Sequence, residues 1–182
     1  MEGDRVRLAA LRVAGGGRLR SLSPGSLTCP ALDAQFVRQL VEGALGLPED
    51  GWPLARRARA VARRGGRTDP HALDHEQAAH ELGCLRAGDP RPGDVLYWPD
   101  GECGHTALYL GAVNGQGYLI EATDARRGLA VWSGSPIRVT PCAQLPTPRT
   151  VAVVSAGEQA GWSPDRAVIP AFCREAVTPG SG

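Results

Sequence analysis

Two side chains in the segment GHTALYLGAVNGQGYLIEATD have the types that acid–base chemistry uses. His105 stands at the head of one apolar run, and Glu121 stands near the end of the next, after an NGQG turn. Residues at even separations along a strand share one face of a sheet, so both side chains can point to the same side of a hairpin. A histidine that acts as a base is held at its second nitrogen, often by a carboxylate. The pattern predicts His105 as a general base oriented by Glu121, with structural roles for both residues as the alternative.

Cys29 is the candidate nucleophile to accompany this pair. A thiol attacks a carbonyl as the thiolate, and a helix N-terminus or a nearby imidazole favours that form. Cys29 stands at the predicted start of the most periodic helix, where Pro30 suits the first turn because its missing N–H would be unpaired there anyway. Cys103 is closer to His105 along the chain but has no predicted helix start beside it. The alternative for Cys29 is a small buried side chain without chemistry.

The elements that must position these residues fall into two halves of the chain. Apolar residues recur at helical spacing from Cys29 to Leu45, and helices are also predicted over 54–64 and about 71–83. From Asp94 onward, short runs rich in Val, Leu, Ile, Tyr and Trp alternate with Gly, Asn and Pro. The predicted strands are 94–98, 105–113, 117–123, 129–132, 136–140 and 150–155. Helices first and strands second predict an α+β domain whose antiparallel sheet curls against the leading helix.

The length of 182 residues fits one domain with one active site. We expect an N-terminal arm over 1–27, either frayed or forming a short strand, because turn-rich pieces dominate it. The functional domain is expected over 28–155, followed by a C-terminal extension over 156–182.

Charge and cysteine content narrow the function classes. Twenty basic residues against nineteen acidic ones leave no overall field to attract nucleic acid or an anionic membrane. The first thirty residues contain no apolar run long enough for a signal peptide or a membrane span, which predicts a cytosolic protein or an unusual export route. Five widely spaced cysteines do not form the pattern of a disulfide framework, so we expect at least one free thiol.

Two further groups have metal-ligating side-chain types, and neither has the spacing of a metal site. In HALDHEQAAH, His71 and His75 share a helix face, but His80 is five residues beyond His75 and turns away from the HExxH arrangement. Cys84, Cys103 and Cys142 include no CxxC pair. A polar helix surface and structural cysteines are the favoured interpretations.

The segments RPGDVLYW, GHTALYLG and YLIEATD together resemble the NlpC family of papain-like cell-wall cysteine peptidases. The resemblance spans about residues 27–145 and implies a papain-like fold with N-terminal helices packed on a curled antiparallel sheet. It also implies Cys29 as nucleophile, His105 as general base and then acid, and Glu121 as the orienting residue. The implied reaction is hydrolysis of an amide bond in a peptidoglycan stem peptide through an acyl-enzyme, by a monomer without a cofactor.

Two positions depart from that family's pattern. Its third residue is commonly histidine, although the carboxylate of Glu121 can accept an imidazole N–H equally well. Its cysteine lies in Asp-Cys-Ser-Gly followed by an apolar pair, whereas this chain has TCPALDAQFV. If Phe36 and Val37 are that apolar pair, the place of the nucleophile falls near Asp33, and a carboxylate there cannot perform thiol chemistry. We favour the alignment on Cys29, because Cys29 is the only cysteine at a predicted helix start, and the alignment on Asp33 stays open as the alternative.

Of three functions compatible with the sequence, the first and the predicted one is the cysteine peptidase or amidase just described. The second, favoured by the irregular cysteine segment, is a catalytically inactive domain of the same fold that binds wall peptide or a protein partner. The third is an intracellular thiol hydrolase that acts on an unrelated amide.

Overall fold

The structure is a computed structural model that describes residues 2–27, 29–86, 89–145 and 152–155. Within these residues the chain forms four α-helices followed by a seven-stranded antiparallel sheet, which confirms the α+β prediction. The helices are α1 (Glu2–Ala14), α2 (Leu32–Leu45), α3 (Pro53–Arg64) and α4 (Ala72–Glu81). None of the helices in the described part of the chain combines the length and the apolar character needed to cross a membrane.

Helix α2 is the element that carries the start of the candidate site. Its fully buried side chains recur every three or four residues, as expected for one apolar helix face packed on a core, and they are Phe36, Val37, Leu40 and Val41. Gly46 ends the helix in the left-handed conformation, at a φ of 71°, where a residue without Cβ is favoured. The prediction that this helix begins at Cys29 is wrong by three residues, because its first helical residue is Leu32 and Ala31 precedes it as the N-cap.

The expected arm over 1–27 begins with a helix, α1, and is neither frayed nor a strand at that end. Val6, Ala10 and Val13 are spaced three or four residues apart, and all three are fully buried in the main core. This segment therefore contributes packing to the same core as α2. Its turn-rich second half, which includes three successive glycines, concealed the short apolar stripe ahead of it.

The strands are β1 (Leu85–Arg86), β2 (Asp94–Trp98), β3 (His105–Val113), β4 (Gln116–Ala122), β5 (Leu129–Ala130), β6 (Ile137–Pro141) and β7 (Ala152–Ser155). Their order across the sheet is β1-β7-β2-β3-β4-β6-β5, and all the pairings are antiparallel. The two-residue strand β1 was not predicted, and β5 ends two residues earlier than predicted. The predicted extension over 156–182 lies outside the described residues.

The two faces of the sheet bury different clusters. Leu108 and Ile120 face the helices in the main core, whereas Ala107 and Leu119 belong to a second cluster on the opposite face. His105 is in the same alternating set as Ala107, so it lies on the face of the second cluster at the start of β3. His105 is the first residue of β3, and Asp33 in the first turn of α2 contacts it. The start of β3 and the start of α2 therefore meet at one end of the sheet.

Candidate functional site

His105 and Glu121 are in direct contact, as the hairpin predicted. Leu108 pairs with Ile120, and continuing this register places Glu121 two residues along from His105 on the same face of the β3–β4 pair. The His105 Nε2 atom lies 2.6 Å from Glu121 Oε2, a short hydrogen bond between two buried side chains. The sequence thus predicted correctly which two side chains meet, although it did not fix the register.

The other ring nitrogen of His105 faces a second carboxylate, that of Asp33. The distance from His105 Nδ1 to Asp33 Oδ2 is 3.1 Å, and the same oxygen accepts a 2.8 Å hydrogen bond from the Thr106 backbone N–H. Asp33 Oδ1 accepts from the Ala34 backbone N–H at 2.8 Å. Asp33 lies in the first turn of α2, where the unpaired amides and the helix dipole favour an anion. The carboxylate therefore joins the start of α2 to the start of β3.

These contacts determine the charge of His105. Burial by itself would lower the pKa of His105, but hydrogen bonds to Asp33 and Glu121, with the charges of both, outweigh it and raise the pKa to about 9. The Trp98 ring packs against His105, with the two ring centroids 4.9 Å apart and the ring planes tilted by 59°. At neutral pH the ring is an imidazolium that donates a hydrogen bond from each nitrogen to a carboxylate.

Glu121 is held by more partners than His105 alone. Its side chain is fully buried, and it accepts hydrogen bonds from Arg127 Nε at 3.0 Å, Arg127 Nη2 at 2.9 Å and the Thr140 hydroxyl at 2.5 Å. Burial would raise the pKa of Glu121, but the hydrogen bonds from His105 and Arg127 outweigh it and lower the pKa to about 2. Every oxygen of this buried carboxylate is therefore compensated by a donor, as a buried charge requires.

Cys29 lies in a turn ahead of α2 and is exposed. Its Sγ donates a hydrogen bond to Asp124 Oδ2 at 2.7 Å, and among the described residues no hydrogen bond joins it to His105. The hydrogen bond to Asp124, partial burial and the charges of Asp124 and Asp33 all raise the pKa of the Cys29 thiol. The surroundings of the predicted nucleophile thus favour the thiol over the thiolate.

Cys29, Asp33 and His105 nevertheless open onto one cleft. They line a cavity of about 130 Å³, and a larger cavity of about 490 Å³ adjoins it across Cys29 and Asp124. The larger cavity is lined mainly by β5, β6 and the loop between them, together with the segment that precedes α2. The cleft is therefore a surface feature that includes the predicted residues at one end.

No group of side chains that could hold a metal ion is found in the part of the chain that the structure describes. His71 caps the N-terminus of α4, and His75 is buried, so the expected polar helix surface is wrong for His75. Cys84 and Cys142 are buried, and Cys173 lies outside the described residues.

The sequence left unassigned two side chains that shape the site, Asp124 and Arg127. Both lie between β4 and β5, and nothing in TDARRG indicates which of two adjacent arginines turns inward. The sequence did indicate Asp33, because the alignment on Phe36 and Val37 placed it near the nucleophile position of the resembled family.

No family model, curated protein or solved structure matches this chain.

Proposed function

We propose that this chain is a catalytically inactive α+β domain of the papain-like, NlpC type that binds a peptide, from the cell wall or from a protein partner, in the cleft beside His105. The observation that carries the proposal is the 3.1 Å contact of the Asp33 carboxylate with His105 Nδ1. In the alignment on Phe36 and Val37, Asp33 stands where the resembled family has its cysteine. A carboxylate in that place leaves the pair of His105 and Glu121 without a thiol to activate.

The protonation state of His105 supports the same conclusion. A general base must offer a free nitrogen lone pair to the proton that it removes. Both nitrogens of His105 donate to carboxylates, and its pKa of about 9, set by burial and by those two hydrogen bonds, keeps the ring charged at neutral pH. The buried charges of His105, Asp33 and Glu121 hold α2, β3 and β4 together.

The cleft offers features that suit a peptide. Leu32 and Pro136 give apolar wall, while Asp124 and Arg138 place opposite charges along the same cavity of about 490 Å³. A cavity of a few hundred Å³ with a few polar groups suits a ligand of several residues. The peptide class rests on the family resemblance and on this combination of apolar and charged wall.

A cysteine peptidase or amidase that uses Cys29 is the second candidate, favoured by one observation. Cys29 is exposed and lines the same cavity of about 130 Å³ as His105. Catalysis would require the Cys29 hydrogen bond to Asp124 to break and His105 Nδ1 to leave Asp33. A deprotonated His105 would take the proton of the Cys29 thiol, the thiolate would attack the carbonyl, and His105 would pass that proton to the leaving amine. His105 would then activate the water that hydrolyses the acyl-enzyme and returns Cys29 to the thiol.

Thiol titration with iodoacetamide, read by peptide mapping, separates the two candidates. We expect the wild-type Cys29 thiol to react with an apparent pKa at or above the ordinary cysteine value. In the double variant Cys29→Ala with Asp33→Cys, the new thiol lies at the start of α2 against His105, and we expect its pKa to be well below the ordinary value. A wild-type Cys29 that ionises below pH 7, together with amide hydrolysis that Cys29→Ala abolishes, would refute the inactive-domain proposal.

Binding is tested separately with a peptidoglycan stem pentapeptide and an unrelated peptide of equal length. Ala130 is exposed and lines the larger cavity, so Ala130→Trp fills the cleft at little cost to the core. We expect saturable binding of a peptide to the wild type and its loss in this variant. Equal binding to both proteins would contradict the assignment of the cleft.

A further inference from the structure

A second cavity, of about 500 Å³, lies on another side of α2 and belongs to no part of the cleft. Its wall is built from the segment around 21–26, one face of α2, the loop over 47–50, Arg59 of α3 and residues 69–75. No residue lining this cavity lines either cavity of the cleft. Its volume is in the range of sites that take a small organic ligand.

The charges on this wall do not balance. Two guanidinium groups, Arg38 and Arg59, face the four carboxylates of Glu42, Glu49, Asp50 and Asp69. Arg38 Nη1 lies 3.1 Å from Glu42 and 3.4 Å from Glu49, and Arg59 Nη1 lies 2.6 Å from Asp50. Both guanidinium groups are thus already paired with carboxylates of the wall.

Asp69 is the one of these four carboxylates that pairs with neither Arg38 nor Arg59. It is exposed at the rim and forms no ion pair with any residue in the described ranges. The wall therefore carries an excess of negative charge that its own arginines do not neutralise. An anionic ligand would be repelled, and a cationic one would be attracted.

The same wall includes His75, a buried histidine with one unpartnered ring nitrogen. The His75 side chain is 2% exposed, its ring packs between Trp52 and Tyr97, and it lines the cavity. Its Nδ1 makes no hydrogen bond with a described residue. Burial lowers the pKa of His75 to about 4, so the ring is neutral at physiological pH and one of its nitrogens is a hydrogen-bond acceptor. Buried polar atoms without a partner are rare and are a reason to look for a ligand.

We infer that this second cavity binds a compact polar ligand through a primary ammonium group. The ammonium would donate to the neutral His75 ring and to carboxylates of the wall. Hydroxyl and amide side chains, among them Ser23, Gln35 and Gln39, complete a wall suited to a hydrogen-bonding ligand. The ligand can be a free polyamine or the side chain of a lysine in a peptide, since both present the same group. This inference does not depend on the proposed function of the cleft.

The inference is tested by titrating the intact protein with three probes, followed by calorimetry or by NMR shifts. The first is Nα-acetyl-lysine methylamide, whose only charge is its ammonium, and the second is its Nε-acetylated analogue, which has almost the same shape without the charge. The third is putrescine. We expect the ammonium probe to bind at least about tenfold more tightly than its acetylated analogue, which corresponds to one charge-assisted contact.

Variants locate the binding. Asp69→Asn removes the unpaired carboxylate at the exposed rim, and we expect it to weaken ammonium binding by about threefold to tenfold. His75→Phe removes the ring nitrogens and keeps an aromatic ring between Trp52 and Tyr97, with a similar expected loss. Glu102→Gln, which removes an exposed carboxylate that does not line the cavity, is the matched control and should change affinity less than about twofold.

Tighter binding of the lysine probe than of putrescine would assign the site to peptide side chains, and the reverse order would assign it to free polyamines. Equal affinity for the charged and acetylated probes would overturn the inference. So would an unchanged affinity in Asp69→Asn, a variant at an exposed position that tests the inference even if His75→Phe does not fold.

Discussion

Replacing Asp33 by asparagine tests the central feature of the site, the imidazolium of His105 between two carboxylates. Asparagine has nearly the same shape as aspartate and keeps one oxygen that can accept from the Thr106 or Ala34 backbone N–H. It removes the charge that lies 3.1 Å from His105 Nδ1. The variant therefore changes the electrostatics of the ring more than the packing around it.

The expected size of the effect follows from the contacts. The pKa of His105 is about 9, against an ordinary value of 6.5, with burial opposing the two carboxylates that raise it. This difference corresponds to about 3 kcal/mol of preference for the charged ring. Without Asp33 the ring keeps Glu121, whose charge is shared with Arg127, and Arg127 Nη2 lies 3.4 Å from His105 Nε2. Since one close opposite charge shifts a pKa by about 1 to 3, we expect His105 in Asp33→Asn to titrate between about 6 and 8.

The titration is followed through the imidazole signals in NMR spectra recorded from pH 5 to 10.5, with His105→Gln used to assign the His105 resonance. Asp124→Asn is the matched control, because Asp124 is exposed and its recorded hydrogen bond is to Cys29. A wild-type His105 that titrates near 6.5, or a variant pKa equal to that of the wild type, would refute the electrostatic account of the site.

Two other predictions concern stability. Because the pKa of His105 is raised on folding to about 9, its contribution is complete below about pH 6.5 and is lost as the pH rises through 9. The free energy of unfolding, measured with urea, should therefore fall between pH 6 and pH 9.5. We expect this fall to be about 3 kcal/mol larger in the wild type than in His105→Gln. Equal falls in the two proteins would contradict the prediction. At Gly104 the φ is +69° and an added Cβ would lie 2.9 Å from Leu73 Cγ, whereas at Gly101 the φ is +59° and nothing lies within 4 Å. Gly104→Ala should cost about 1 to 2 kcal/mol more in unfolding free energy than Gly101→Ala, since both add backbone strain and only the first adds a clash; equal losses would show that Leu73 yields freely.

The fold was predictable to the extent that its periodic patterns were long. Helix α2 and strands β3 and β4 were predicted because each has enough apolar repeats to reveal its period. Helix α1 was missed because its buried apolar positions are few, and the exposed leucines Leu8 and Leu11 obscure their spacing. Strand β1 has two residues, which is too short for any period, and its pairing with β7 is a contact distant in sequence.

The candidate site was predictable where local geometry decides it. The hairpin of β3 and β4 brings His105 to Glu121 because residues at even separations along a strand share one face of the sheet. This rule needs no knowledge of the rest of the fold. The partner at Nδ1 depends on where α2 begins, and Pro30 indicated a start that lies too early by part of a turn. Arg127 and Thr140 reach Glu121 from a loop and from β6, and such contacts leave no mark in the sequence.

The first turn of α2 stabilises negative charge whichever side chain stands there. The type of residue 33 therefore decides whether that charge is on a thiolate or on a carboxylate. A thiol there would lose its proton readily to His105, and the pair would exchange protons with a substrate. With the Asp33 carboxylate there, the same amides and dipole stabilise a negative charge beside His105 Nδ1, and that charge is one of the causes that raise the pKa of His105 to about 9. Cys29, four residues earlier, lies outside that turn and beside the carboxylate of Asp124, which raises the pKa of its thiol. Under the proposed function, the cleft lacks thiol chemistry because its sulfur lies outside the turn that would stabilise a thiolate.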